Sequence, residues 1–498
     1  MDNSIKFNPN PLVQYLKKPA SDFNKEDIIE YMEVNDIRML NFRYVAEDGR
    51  LKTLNFMISS RDHLDAVLSA GERVDGSSLF SFMEAGSSDL YVVPRYRTAF
   101  LNPFTEVPSL EILCSFYDHK GQALESAPEN ILRKAINHFR QTTGKNMKFL
   151  GELEYYVNSE RSSNFPASDQ KGYHESEPFA KFEGMRKEAL KLIAECGGQI
   201  KYGHSEVGTF TNGNEAYEQH EIEFLPTDPE QAADGLIIGK WVLRMLAEKL
   251  NVEISFAPKI TVGKAGSGLH FHMLVEENGK NLMLDENGLS DISKKVMAGI
   301  LDVADALTAF GNTIPTSYLR LVPHQEAPTN ICWGDRNRSA LVRVPLGWTG
   351  GVERMIFDAN PNQDIKPFDT GSKQTVEFRA PDGSANIHLM IAGLIVAAEH
   401  GLKMDNALEV AEKLYVDRNI FKDMPAGGLE QLPASCFESA ECLDKKRELF
   451  ENNSVFPANV ITHTIDKLKA FDDKGLSEKL YGKNDALRDL VKQYIHCQ

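Results

Sequence analysis

Cysteine is scarce in this chain, and its cysteines do not follow the spacing of a metal-binding or redox motif. Six cysteines are spread over 498 residues without a CxxC pair. A disulfide framework or a structural zinc site would need a denser and more regular set. We therefore expect reduced thiols and a cytoplasmic protein.

Long apolar runs are also missing. The longest strongly apolar stretch, residues 387–398, contains His388 and is too short to span a bilayer. It predicts a buried core helix instead. Residues 1–20 contain no long apolar segment, so we do not expect a secretory signal there.

Positive charge is in deficit, with 55 Lys and Arg against 72 Asp and Glu and a formal net charge of −17. This balance disfavours nucleic acid or an anionic membrane as the main partner, although a local arginine cluster can still bind phosphate. The chain also lacks a GxxxxGK[ST] loop and a GxGxxG motif opening a helix, so the nucleotide folds that depend on them are not supported. The segments VDGSS and KAGSGLHFH are, taken alone, typical of ordinary turns.

The hydrophobic pattern divides the chain into two units. Residues 34–118 are strand-like and include two apolar runs around a Glu-Asp-Gly turn, which predicts a hairpin. From Glu129 the apolar residues follow helical spacing until Gly144. We place a boundary within residues 119–127 and predict two domains, 34–118 and 127–498.

The second unit alternates helices with short strands. The sequence predicts helices over residues 181–196 and from an N-cap at Asp228 to about Leu250. Strands are predicted at KFLGELEYYV, QHEIEFL, GLHFHMLV and QTVEFRA. These elements indicate an α+β fold, and the C-terminal part of the chain reads as amphipathic helices.

Each of these four strands carries charged or imidazole side chains two residues apart. Residues at this spacing project from the same face of a strand, while their apolar neighbours face the other way. The pairs are Glu152 with Glu154, Glu221 with Glu223, His270 with His272, and Glu377 with Arg379.

Two interpretations fit this face of the predicted sheet. It could be the solvated side of the sheet, which is the usual explanation of a single such pair. Alternatively it lines a cavity that holds cations, since divalent ions remove the repulsion between clustered carboxylates. Carboxylates with imidazole suit Mg²⁺ or Mn²⁺ better than zinc.

A second cluster is basic and contains Arg320, Arg336, Arg338 and Arg343. Such a loop is usually a solvated surface. Beside a carboxylate–metal sheet, however, the planar guanidinium groups indicate the anion-binding half of a nucleotide site. The residues alone thus predict a metal-using enzyme that handles phosphate and a carboxylate substrate, without naming its reaction.

Taken together, the segments resemble the glutamine synthetases, particularly the bacterial and archaeal kind. The resemblance rests on VDGSS with a later SSD, GELEYY, HSEV with QHEI, GSGLHFHM, SYLRLVPHQEAP, NRSALVRVP and VEFRAPD, in family order. It implies an N-terminal β-grasp domain and a large catalytic domain with a curved antiparallel sheet. It also implies a homododecamer of two stacked hexameric rings, with active sites between subunits.

The resemblance assigns roles to individual residues. One Mg²⁺ or Mn²⁺ ion would be held by Glu154, Glu206 and Glu221, and a second by Glu152, His270 and Glu377. ATP would contact His272, Arg338 and Arg343. Glutamate would contact Gly266, Arg320, Arg379 and the flap residue Glu326, while Asp75 of the adjoining subunit would bind ammonium and help to deprotonate it.

The implied reaction has two steps, formation of γ-glutamyl phosphate from ATP and glutamate, then attack by ammonia to give glutamine. An insertion near FTNGNEAY makes Glu215, Glu218 and Glu223 alternatives to Glu221 as a ligand. Ala265, Thr375 and the pair His324-Gln325 depart from the family pattern. A tyrosine regulated by adenylylation in some members has Tyr415 as its nearest candidate here, although packing is the simpler role.

Two other functions remain open at this stage. A γ-glutamyl ligase of the same fold that uses another amine would share the metal and ATP residues. A relative without activity, kept as a structural assembly, would lack metal ligands.

Overall fold

The computed structural model describes residues 3–83, 88–322, 327–347, 351–362, 373–418 and 428–497. Two β-sheets organise this part of the chain. Residues 323–326 lie outside the described residues. They include Glu326, which the resemblance places on a flap.

The first sheet has the strand order β2-β1-β6-β4-β3, with β5 paired to β6. Its strands are β1 Met39–Val45, β2 Leu51–Met57, β3 Glu72–Asp75, β4 Asp89–Pro94, β5 Phe100–Leu101 and β6 Ser109–Tyr117. The predicted hairpin is confirmed, because β1 and β2 pair antiparallel from Met39↔Met57 to Val45↔Leu51. The neighbouring strands β1 and β6 pair in parallel.

Four helices accompany the first sheet, namely α1 Asn3–Lys6, α2 Pro11–Leu16, α3 Lys25–Val34 and α4 Arg61–Ala70. Helix α3 begins with a capping box, in which Asn24 and Asp27 bond reciprocally to each other's backbone. Leu12, Ile28 and Leu64 from these helices are buried against the sheet. The N-terminal residues therefore complete the core of the first unit.

The second sheet has the order β15-β16-β17-β11-β7-β9-β8, with β10 paired to β7 and β12 to β11. Its strands are β7 Asn146–Glu160, β8 Ile200–Asn212, β9 Glu215–Phe224, β10 Glu253–Ser255, β11 Leu269–Glu277, β12 Lys280–Asn281, β15 Trp333–Asp335, β16 Val342–Val344 and β17 Val376–Phe378. A separate two-stranded sheet contains β13 Leu284–Asp285 and β14 Gly288–Leu289. All four predicted strands are present, but β17 is shorter than expected.

The helices of the second unit are α5 Pro128–Thr143, α6 Glu183–Glu195, α7 Pro229–Leu250, α8 Asp291–Asp302, α9 Ala304–Gly311, α10 Ser317–Arg320, α11 Val352–Ala359, α12 Ile387–Lys403, α13 Ala407–Lys413, α14 Cys436–Glu451, α15 Ala458–Lys469, α16 Leu476–Leu480 and α17 Asn484–Gln493. Helix α5 ends as predicted, since Gly144 adopts the left-handed conformation with φ 71°. At α7 the predicted cap differs, because the Asp228 side chain makes no capping hydrogen bond.

Helix α7 packs on one face of β7 and leaves the other face uncovered by this helix. The approach is close, because a Cβ on Gly151 would lie 2.7 Å from a Leu236 methyl carbon. Leu153, Tyr155 and Val157 are buried on this helix side of the strand. The alternating Glu152 and Glu154 consequently point to the opposite face.

Helix α12 is the predicted core helix and is buried along nearly all its length. Within the described residues, no single helix has the length and apolar composition to cross a membrane, although α12 and α13 together do, with a bend of 108° between them. All six cysteines are free thiols.

Candidate active site

The exposed face of the second sheet lines a cavity of about 1580 Å³. Strand register explains why the charged pairs meet there. In the antiparallel pairs, His270 lies opposite Glu152, Glu154 opposite Glu221, and Glu152 opposite Glu223. Residues directly opposite each other have neighbouring side chains. The period-two pattern on separate strands therefore becomes a single cluster that lines a cavity.

Glu152, His270 and Glu377 form a compact group. One potential ligand atom from each lies within 4.8 Å of the others. His270 Nδ1 is 3.0 Å from Glu152 Oε2 and 3.4 Å from Glu377 Oε1. Two carboxylates and one imidazole suit Mg²⁺ or Mn²⁺. The residues predicted for the second ion thus have a donor set and spacing that fit a divalent cation.

The group around Glu221 differs from the sequence prediction in one member. Glu206 and Glu221 come together with His204, and a ligand atom from each lies within 4.8 Å of the others. Glu154 lines the same cavity, but its Oε2 accepts hydrogen bonds from Gly268 N at 2.8 Å and Gln219 Nε2 at 3.1 Å. His204 was not predicted as a site residue.

The alternatives to Glu221 separate clearly. Glu223 joins a third group with Glu152 and Glu221. Glu218 does not line the cavity, since its carboxylate pairs with His220 at 2.8 Å and accepts from the backbone of Lys181. Glu215 is exposed at the start of β9.

The two carboxyl groups of the ExE pair have opposite pKa shifts. Burial raises the pKa of Glu154, and the nearby His270 only partly opposes this effect. For Glu152, burial acts in the same direction, but the imidazoles of His272 and His270 outweigh it and hold the pKa well below its usual value. Glu152 is therefore ionised between two histidines.

The pKa of Glu221 is raised well above its usual value, first by burial and then by the neighbouring carboxylates. For His272, burial lowers the pKa, but Glu152 and Glu377 overcome this effect and raise it. Burial and like charge thus favour the protonated form of Glu221, while the carboxylates of Glu152 and Glu377 favour the protonated form of His272.

Arginines lie beside the same groups in the cavity, and Arg343 on β16 is paired directly with Glu377 on β17. Arg343 Nη1 donates to Glu377 Oε2 at 2.9 Å, and Arg379 Nε donates to Glu377 Oε1 at 3.0 Å. Arg320 Nη2 lies 3.3 Å from His270 Nε2. Gly268 permits this approach, because a Cβ there would lie 2.5 Å from His270 Nε2 and 2.7 Å from Arg320 Nη2.

The cavity collects every described residue that was predicted for the metals, ATP and glutamate. Its lining includes Glu152, Glu154, Glu206, Gly266, Glu221, His270, His272, Arg320, Arg338, Arg343, Glu377 and Arg379. Arg336 does not line it. Tyr415, the candidate for modification, packs its ring 4.7 Å from that of Trp333.

Asp75 lies elsewhere, at the end of β3 in the first sheet. Its side chain is exposed and accepts hydrogen bonds from Ser77 N, Ser77 Oγ, Ser78 Oγ and Ser88 Oγ at 2.7–2.9 Å. These hydrogen bonds, led by those of the Ser77 and Ser78 hydroxyls, lower the pKa of Asp75. It is not part of the cavity lining of its own chain.

Several lining residues were missed in the sequence. Gln219 precedes Glu221 and Glu223 at the same period of two, so the pattern could have revealed it. Tyr173, Tyr202 and His204 form an aromatic wall, in which the Tyr173 and Tyr202 rings lie 5.5 and 5.8 Å from His204. No sequence pattern identifies Tyr173 as a site residue, because it lies on a loop that reaches β8 only in the folded protein.

Comparisons with known proteins agree with this architecture. The family model described as the glutamine synthetase β-grasp domain matches residues 36–119, and the one for the glutamine synthetase catalytic domain matches residues 125–473. A glutamine synthetase of Methanococcus maripaludis is 29% identical over 456 residues, covering 89% of this chain and 93% of the relative. One of Clostridium saccharobutylicum is 29% identical over 441 residues, covering 86% and 90%.

Solved structures show the same fold. Plasmodium falciparum glutamine synthetase has a TM-score of 0.73 at 21% identity, covering 94% of this chain and 98% of that one. A GmaS/ADP complex has a TM-score of 0.71 at 19% identity, covering 90% and 96%. The predicted β-grasp domain and catalytic domain of mixed helices and curved sheet are thereby confirmed. The chain belongs to the glutamine synthetase family of glutamate–ammonia ligases.

Proposed function

We propose that this protein joins ammonia to the γ-carboxylate of L-glutamate, with ATP as co-substrate and γ-glutamyl phosphate as intermediate. The observation that carries the proposal is the single cavity in which carboxylates and imidazoles from five strands of one sheet lie beside a set of arginines. Such a site can hold anionic substrates beside cations and stabilise a transferring phosphoryl group.

Bound Mg²⁺ or Mn²⁺ ions would neutralise charge on ATP and glutamate. We assign one ion to Glu152, His270 and Glu377. The other belongs to Glu206 and Glu221, with Glu154 as predicted from the sequence or His204 as favoured by the spacing.

The arginines act on the substrates. Arg338 and Arg343, with His272, contact the phosphates of ATP, while Arg320, Arg379 and the Gly266 backbone hold glutamate. Because Arg343 and Arg379 both bond to Glu377, that carboxylate orients the phosphate-binding and glutamate-binding sides together. A flap that carries Glu326, as the family resemblance implies, would exclude water, which would otherwise hydrolyse the acyl phosphate.

Asp75 is proposed to bind ammonium and to promote loss of its proton. Since its carboxylate does not line the cavity of its own chain, it would serve the cavity of a neighbouring copy. This supports an assembly in which the first domain, residues 34–118, completes the site of the adjoining catalytic domain, residues 127–498. We propose a homododecamer of two stacked hexameric rings, located in the cytoplasm.

A second candidate is a ligase of the same fold that uses an organic amine. The aromatic wall favours it, because Tyr173 and Tyr202 are 48% and 46% exposed beside the carboxylates of Glu206 and Glu221. Aromatic faces attract alkylammonium groups. The inactive alternative finds no support, since all six predicted metal ligands line the cavity.

A steady-state assay of ATP-dependent amide formation with ammonium, methylamine and putrescine tests the proposal. We expect the highest kcat/KM with ammonium. A clear preference for either organic amine would reject ammonia as the substrate in favour of the second candidate, and absence of amide with all three would reject both.

The Asp75→Asn variant tests the ammonium role. We expect the KM for ammonium to rise at least about tenfold, with the KM values for ATP and glutamate little changed. Asp62→Asn, at an exposed position of the same domain, is the control and should behave as wild type. An unchanged ammonium dependence in Asp75→Asn would contradict the assigned role.

A further inference from the structure

The loop that follows Asp75 is closed at its base. Ser88 Oγ donates to Asp75 Oδ1 at 2.8 Å, and Gly76 N donates to Ser88 O at 2.7 Å. Between these two ends the chain leaves the sheet. We refer to its described part, residues 76–83, as the Asp75 loop.

The middle of the Asp75 loop is bonded to Glu47, in the turn between β1 and β2. Glu47 Oε2 accepts from Ser81 N at 2.7 Å and from Ser81 Oγ at 2.8 Å. Glu47 N donates to Leu79 O at 3.2 Å. Phe80, between these two residues, is buried and packs its ring 5.1 Å from Phe116 of the first sheet.

The second oxygen of Glu47 leads into the other domain. Glu47 Oε1 lies 2.5 Å from Nε2 of His463 on helix α15. The His463 ring also packs edge-on to Phe82 of the loop at 5.4 Å, and its Nε2 is 3.4 Å from Ser81 Oγ. One carboxylate therefore joins the loop to a C-terminal helix that is distant in sequence.

The residues around the contact between Glu47 and His463 also belong to both domains. Glu47, Phe80, Phe82 and His463 line one small cavity of about 60 Å³ between the domains. Burial alone would raise the pKa of Glu47, but the hydrogen bonds from His463 and Ser81 outweigh it and lower the pKa to about 2. Hydrogen bonds to an ionised carboxylate are stronger than neutral ones.

We propose that Glu47 and His463 are positioning residues that fix the Asp75 loop against helix α15 and so hold Asp75 in its ammonium-binding position. The inference rests on the proposed role of Asp75. It adds that helix α15 of the catalytic domain controls how well this loop serves the site. Neither Glu47 nor His463 lines the candidate active-site cavity, so we expect them to act through the geometry of Asp75.

The kinetic test compares His463→Ala, His463→Gln and Glu47→Ala in the full-length enzyme. We expect the two alanine variants to raise the KM for ammonium roughly tenfold, with little change in kcat or in the KM for ATP. Glutamine can retain an N–H donor towards Glu47, so His463→Gln should recover most of the wild-type KM. Equal loss in kcat and all three KM values would overturn the proposal, and so would unchanged KM values together with unchanged hydrogen exchange in the loop.

Arg97→Met is the matched control for a weakened domain contact. Arg97 bonds across the same two domains, to Glu230 at 3.3 Å, but not to the Asp75 loop. It should lower thermal stability without a selective change in the KM for ammonium. If it raised that KM as much as His463→Ala does, the effect would belong to domain packing in general and the proposal would fail.

Hydrogen exchange separates this inference from the proposed function. In His463→Ala, we expect faster amide exchange in peptides covering residues 76–83, with β7 and β11 unchanged. This result does not depend on a role of Asp75 in ammonium binding. Faster exchange in the loop with an unchanged KM for ammonium would reject only the assigned role of Asp75. Unchanged exchange in the loop would reject the bridge itself.

Discussion

Glu221 should hold a proton in the metal-free protein and release it when a divalent cation binds. Its carboxylate lies in a group with Glu206 and in another with Glu152 and Glu223, each with ligand atoms within 4.8 Å of one another. Burial and these neighbours raise its pKa well above the usual value. We therefore expect manganese binding at Glu221 to displace a proton.

The magnitude follows from two energies. A pair of like charges at this distance costs about 3.5 kcal/mol at an effective dielectric constant of about 20. Protonating an ordinary glutamate at pH 7 costs about the same, roughly 3.5 kcal/mol. With one neighbouring carboxylate, the ionised and protonated forms of Glu221 would have similar free energies, but three neighbouring carboxylates are present. Lys201 and the histidines offset only part of the charge on Glu223 and Glu152. The protonated form of Glu221 therefore has the lower free energy.

Calorimetric titration with Mn²⁺ in two buffers of different ionisation enthalpy measures the released protons. We expect about one proton per Glu221 site at pH 7 and an apparent association constant that rises about tenfold per pH unit below the raised pKa. Glu221→Gln should bind Mn²⁺ more weakly at this site and without the proton release. Glu215→Gln, at the exposed end of the same strand, should match wild type.

The same group gives a stability prediction with a definite sign. Above the ordinary value of 4.5 the unfolded chain loses the proton that folded Glu221 keeps. The metal-free protein should therefore lose stability as the pH rises from about 5 to 7, and Glu221→Gln should reduce that loss. Manganese binding at this site with neither proton release nor pH dependence would refute the reasoning.

Three further predictions concern buried charges. Glu377→Gln removes the anion shared by Arg343 and Arg379 and should lower glutamate-dependent ADP formation by roughly a hundredfold or more, measured with a coupled assay. Burial lowers the pKa of Lys240 to about 7, so the unfolded chain binds more protons between about pH 7 and 10.5 and stability should rise with pH there; Lys240→Met should flatten this rise in denaturant midpoints at pH 7 and 9. Asp234→Asn weakens the bidentate contact with the partly buried Arg95 and should cost about 3 kcal/mol of unfolding free energy, whereas a change below about 1 kcal/mol would contradict the importance of this domain contact.

The period of two in four strands was sufficient to predict which side chains of one strand share a face, because it depends only on local backbone geometry. That Glu152, Glu154, Glu221 and His270 of separate strands belong to one site was implied by the family resemblance, since strand order cannot be read from spacing. The helical period similarly located α5 and α7. Both patterns are properties of short segments, which is why they can be read from a single sequence.

Contacts between distant segments could not be predicted in this way. His204 joins Glu206 and Glu221 because it lies directly opposite Glu221 in the β8–β9 pair, and the pairing of two strands is not visible in the spacing within either one. Tyr173 reaches the cavity from a loop. Strands β15 and β16 have three residues each, too few to show a period, and their pairing is set by neighbouring strands.

The most direct test is a crystal structure grown with ADP and Mn²⁺, in which anomalous scattering locates the manganese. We expect one ion between Glu152, His270 and Glu377, and a second beside Glu206 and Glu221. Manganese bound only outside this cavity would contradict a metal-dependent site on the charged face of the sheet.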